Sequence, residues 1–181
     1  VVFLSPVAAL AIFYGEDDYV EIDQIPSADV KVDWSAIARS IAIVIPDPGP
    51  DGFDLTEVPT MRSRYRKPPL DPDYKYGRQP RLARLTAFLV GRDKIMTAGH
   101  AGVRQLERSA FVFDYTWDSK NERLRKPQYQ PSEIYRCKRV LLHRNDRLGD
   151  YAICQLDKPV TDREPLMLKT IKDAADIDMR S

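Results

Sequence analysis

Ala87-Phe88-Leu89-Val90-Gly91-Arg92-Asp93-Lys94-Ile95-Met96 is the stretch whose reading decides the fold class. Two short apolar runs flank a polar turn that contains glycine, which is the pattern of a β-hairpin. Runs of the same kind recur at Ile41–Ile45, Ala110–Phe113, Val140–Leu142 and Tyr151–Leu156. They are rich in Val, Ile, Phe and Tyr, which suit a pleated, half-buried surface. Polar or turn residues separate them, and helical periodicity is weak. The chain therefore reads as all-β, a sandwich or a barrel. Arg136–His143 and Asp150–Leu156 make a second hairpin, joined through Arg144-Asn145-Asp146-Arg147-Leu148-Gly149. The one short helix falls on Asp33–Arg39, started by an acidic cap.

The 181 residues, 43% hydrophobic and 30% charged, suffice for one domain with a real core and argue against wholesale disorder. The net charge of +1 excludes a polycation, but it is a cancellation. Residues 1–60 hold eleven acidic residues against Lys31 and Arg39. Residues 61–84 hold eight basic residues against Asp71 and Asp73. Such asymmetry divides the chain into regions with different jobs. Val1–Ala11 has the apolarity of a secretory signal, and Ala9-Leu10-Ala11 supplies the small-x-small pattern of its cleavage site. Val1–Tyr14 is too short to span a bilayer as an ordinary helix. The division is then a signal-peptide remnant (1–11), an acidic leader or pro-segment (12–60), a basic Pro/Arg-rich connector (61–84) and a folded region (85–181). The protein is expected to be secreted or periplasmic, with no membrane partner in its mature form.

The connector lacks apolar periodicity and reads as extended chain. Its arginines and tyrosines carry no recognition motif, so nucleic acid is not an expected partner. Cys137 and Cys154 lie in strand-like runs where free buried cysteine is common. A disulfide between them would support export, and the sequence leaves their pairing open. With two histidines and no cysteine cluster, neither a metal site nor another cofactor is expected.

His100 follows an apolar strand in Thr97-Ala98-Gly99-His100, where small neighbours leave the ring reachable. Asp150 opens the run Asp150–Leu156, and a carboxylate at the start of a buried strand needs a compensating partner. An imidazole N–H is such a partner. Pairing fixes the tautomer, so the other ring nitrogen can accept a proton from a hydroxyl nucleophile. His143 matches no motif and reads as a surface residue near the second hairpin.

Leu89 through His100 resembles the catalytic-histidine motif of trypsin-like, chymotrypsin-fold serine proteases. Asp150-Tyr151-Ala152-Ile153 through Leu156 is similar to their catalytic-aspartate motif. Tyr14-Gly15-Glu16-Asp17-Asp18, and Ala38-Arg39-Ser40 before an apolar strand, are similar to exported bacterial members of the glutamyl-endopeptidase-like branch. The resemblance implies a serine endopeptidase acting on a protein or peptide, with His100 as general base and Asp150 orienting it. It implies that residues 85–181 are the first β-barrel of a chymotrypsin-like double barrel. Asp173–Met179 resembles the entry into the second.

Two departures follow. The family commonly bridges a cysteine after the histidine to one on the preceding strand; here Ala101 follows His100 and the partner position near Leu85 also lacks cysteine. That is coherent loss of one staple. The family's nucleophile sits in Gly-x-Ser-Gly, whose backbone N–H groups build the oxyanion hole. No serine here has such flanks, and no glycine follows Gly149. The nucleophile is therefore expected outside this chain, and the chain alone is expected to be inactive. The alternative is a non-catalytic secreted interaction protein on a half-protease scaffold. Arg62–Lys67 is the activation-cleavage candidate. Primary specificity and oligomeric state are not legible.

Overall fold

The computed structural model describes residue 25 and residues 33–64, 74, 76–118 and 120–168. The signal-like stretch 1–11, the Tyr14–Asp18 motif, Tyr65, Arg66 and Lys67 of the cleavage candidate, and Asp173–Met179 lie outside the described residues. The elements are α1 (Trp34–Arg39), β1 (Ile41–Pro46), β2 (Phe53–Asp54), α2 (Met61–Arg64), β3 (Leu85–Gly91), β4 (Lys94–Thr97) and α3 (Val103–Leu106). They continue with β5 (Ser109–Phe113), β6 (Trp117–Asp118), β7 (Arg123–Leu124), β8 (Gln128–Tyr129), β9 (Tyr135–Asp146) and β10 (Gly149–Leu156). Among the described residues, no helix is long and apolar enough to cross a membrane.

Six antiparallel strands close into a barrel in the order β1-β3-β4-β10-β9-β5. The run β5-β1-β3-β4 is a Greek key, because the fourth barrel strand returns to lie beside the first. The hairpin read from Ala87–Met96 is β3–β4, with Phe88 opposite Met96. The second hairpin is β9–β10, tighter than its sequence reading. Both strands run on until only Arg147 and Leu148 separate them, with Gly149 opposite Asp146. The short helix also forms where expected. The Asp33 carboxylate caps it by accepting a 2.9 Å bond from the Ala36 N–H.

Alternation fills the barrel. Ala152, Cys154 and Leu156 of β10 point inward with Ala87, Leu89, Ile95, Phe111 and Phe113. β5 breaks the alternation and is buried at all five positions. Its other face lies under a second cluster, where Ile45, Ala110 and Val112 meet Leu55, Leu124, Tyr129 and Ile134. Two small sheets, β2 with β8 and β6 with β7, belong to the excursions that supply this cover.

The region boundaries read from charge do not match the barrel. It starts at β1, inside the stretch assigned to a leader, and not at residue 85. Ile43 sits opposite Thr86 on one side and Val112 on the other, so removing β1 would open the barrel. The connector is also more than extended chain. Arg62 N–H donates to the Gly77 carbonyl at 2.8 Å, Arg81 N–H to the Pro59 carbonyl at 2.9 Å, and Tyr115 Oη–H to the Pro80 carbonyl at 2.9 Å. Leu82 packs on the second cluster. These are nonlocal contacts that leave no periodic trace in the sequence.

After β10 the chain turns back as a strap over the barrel. Val160 is buried in the core, and Leu166 N–H donates to the Leu89 carbonyl at 2.8 Å. Ser40 Oγ–H donates to the Glu164 carbonyl at 2.6 Å.

Candidate active site

β4 ends at Thr97, a buried residue whose hydroxyl donates to the Thr86 carbonyl at 2.8 Å. A single 3₁₀ turn, Gly99–Ala101, follows, and Gly102 at φ +74° leads out of it into α3. Gly99 is required for contact, not for backbone conformation. A Cβ there would stand 1.9 Å from the Arg144 carbonyl oxygen and 2.9 Å from the Tyr151 nitrogen. The turn is thus seated directly on the β9–β10 hairpin, one residue from Asp150.

That seating brings the two expected residues together across fifty positions of sequence. Asp150 Oδ1 accepts the His100 backbone N–H at 2.7 Å, and Oδ2 lies 2.8 Å from the ring Nδ1. An ionised carboxylate only accepts, so Nδ1 carries the proton and Nε2 of the neutral ring is left as the acceptor. The ring's hydrogen bond, and after it the backbone N–H of His100, hold the Asp150 carboxyl below its usual range. Both side chains are about half exposed, 57% for His100 and 48% for Asp150. Among the described residues, no hydroxyl hydrogen-bonds Nε2. Val103, Leu141, Leu142 and Leu148, on α3 and along the β9–β10 hairpin, are exposed apolar residues.

His143 is exposed on β9, as its surface reading has it, but it is not idle. Its Nε2 lies 2.8 Å from the Gly99 carbonyl oxygen and donates to it. The signal that finds it is register: with a two-residue turn, His143 falls opposite Ala152, two positions from Asp150. Leu85 and Ala101, the positions where the family resemblance anticipates cysteines, both pack on the main core. Cys137 and Cys154 are buried free thiols. Contact with Cys137, and then burial, push the Cys154 thiol well above its ordinary value.

No group of three or more His, Cys, Asp or Glu gathers as a metal site among the described residues. A cavity of about 780 Å³ opens over the second cluster, lined by Leu55, Val58, Trp117 and Leu124 and rimmed by the Arg78–Glu122 ion pair. It shares no residue with the His100–Asp150 site. A scan of protein families finds none that matches this chain, and a search of curated proteins returns no relative.

Proposed function

We propose that this chain carries the proton-transfer half of a trypsin-like serine endopeptidase, on the first barrel of a chymotrypsin-like pair. The observation that carries the reading is the double grip of Asp150 on His100, through the backbone N–H and Nδ1, with Nε2 unspent. In such an enzyme a serine, supplied by polypeptide beyond these residues, attacks a peptide carbonyl. His100 Nε2 takes the serine proton as the bond forms, then gives it to the departing amine. Asp150 keeps the proton on Nδ1 and stabilises the imidazolium without itself becoming protonated. No cofactor enters the step. The exposed apolar residues Val103 and Leu148, three positions from His100 and two from Asp150 in the chain, suit a face that a second barrel covers.

On the same reading the protein is exported, to the periplasm or beyond, and its partner is a protein or peptide substrate. Any segment removed in maturation ends before Ile41, because β1 closes the barrel. Cleavage at Arg62–Lys67 would leave β1 in place, paired on both sides.

The test is the reading frame beyond Ser181 and the protein it encodes. A Gly-x-Ser-Gly downstream, and fluorophosphonate labelling of the longer protein that His100→Ala abolishes, is the expected result. The 181-residue chain alone should remain unlabelled. A native stop codon at this point would select the non-catalytic interaction protein, and His100-dependent labelling of the short chain would place the nucleophile within it.

A further inference from the structure

The Gly99–His100 peptide is held at both ends. Its N–H, that of His100, donates to Asp150 Oδ1 at 2.7 Å. Its carbonyl, that of Gly99, accepts from His143 Nε2 at 2.8 Å. The same carbonyl closes the turn by accepting the Gly102 N–H at 2.9 Å, so both of its lone pairs are used. One peptide plane therefore lies between a histidine on β9 and a carboxylate on β10. The absence of room for a Cβ at Gly99 presses that plane against the hairpin. A donor on the carbonyl polarises the amide and strengthens the bond its N–H makes on the far side.

We propose that His143 is a positioning residue for the His100–Asp150 pair: it clamps the peptide that carries His100, so the ring meets Asp150 in one orientation. The clamp is a property of this chain. Its meaning for catalysis rests on the endopeptidase reading above. His143 acts through the backbone and touches neither ring nitrogen of His100. Its neighbour in register, Ala152, is fully buried, which fixes the β9 rung from which His143 reaches the turn.

The test uses amide hydrogen exchange on the 181-residue chain, read at the His100 N–H, with the His100 Nδ1–H proton resonance as a second signal. Three variants separate reach from mere loss. His143→Gln places an amide N–H near the position of Nε2, His143→Asn holds its donor short of it, and His143→Leu has none. Loss of one neutral hydrogen bond corresponds to about fivefold faster exchange. That acceleration is expected for the Asn and Leu variants, with a weakened Nδ1–H signal, while Gln restores both toward wild type. The Asn–Gln contrast stands even if the Leu variant fails to fold. His100 exchange unchanged in Asn, or no closer to wild type in Gln than in Asn, would overturn the clamp. In the longer labelled protein, the Asn variant should lose kcat and keep KM, and Gln should recover it. An exchange effect without labelling would remove the protease reading and leave the clamp; labelling without an exchange effect would do the reverse.

Discussion

Arg163 and His100 both hold carboxylates across distant parts of the chain, and they do it in opposite ways. Arg163 lies in the strap, with its side chain only 7% exposed. Its guanidinium donates twice to Asp114 at 3.0 Å, twice to Asp162, and once to the Arg39 carbonyl at 2.6 Å. It also lies 4.5 Å from the centre of the Phe113 ring. Burial opposes the charge, but the bonds to Asp162 and Asp114 win and raise its pKa. All five N–H donors are spent. His100 spends one ring nitrogen on Asp150 and keeps the other. A saturated, buried cation fastens segments to each other; a half-exposed imidazole with an unspent acceptor is equipped to move a proton.

The comparison can be broken, and the largest effect should come from the saturated side. Arg163→Met leaves Asp114 and Asp162 without their cation. Removing one partner of a buried pair costs about 3–5 kcal/mol, and the part-exposed aspartates bring the expectation to about 3 kcal/mol by urea unfolding. A loss below about 1 kcal/mol would mean that the strap is held by its backbone bonds. Gly99→Ala should rank next. Its methyl meets backbone and not a yielding side chain, so overpacking should cost about 2 kcal/mol and disturb the His100 resonances.

Tyr129→Phe removes a buried hydroxyl that donates to the Phe113 carbonyl at 2.9 Å, beside the Arg163 cluster. About 1 kcal/mol is expected from the denaturation midpoint at constant m-value. His100→Ala, on the exposed side, should leave the melting temperature within about 2 °C of wild type, as surface substitutions generally do. The Asp150 carboxyl is held below its ordinary 3.8, so its contribution is present above that pH and fades as pH falls through the lowered value. Asp150→Asn should therefore lower stability at neutral pH, flatten the acid limb below pH 3.8 and converge with wild type in acid; a deficit that persists unchanged to low pH would contradict the assignment.

What was legible in the sequence was local or carried by a short motif. Asp33 announced α1, the glycine turn announced β3–β4, and His100 and Asp150 announced each other. The closing of the barrel is hidden because β1 and β3 are separated by residues 47–84, whose charge and proline content give no hint that Leu55, Val58 and Leu82 pack on the second cluster. β2, β6, β7 and β8 are two residues each, too short to show a period of two. The Arg163 cluster draws on Arg39, Asp114 and Asp162, which share no spacing rule. His143 reads only as a surface residue because its partner is a backbone carbonyl, which no side-chain pattern encodes.

The strap gives the molecule a mechanical character. α1 and the strap lie side by side: Arg39 donates to the Asp162 carbonyl at 2.6 Å and Ser40 to that of Glu164. A pull applied between α1 and the end of the strap therefore loads the Leu166–Leu89 bond to β3 first and then this seam. The contacts at Leu166, Glu164 and Asp162 are met one after another along the strap, and none of them involves His143 or Asp150. Tension transmitted along a longer polypeptide would peel the strap and leave the His100 turn seated.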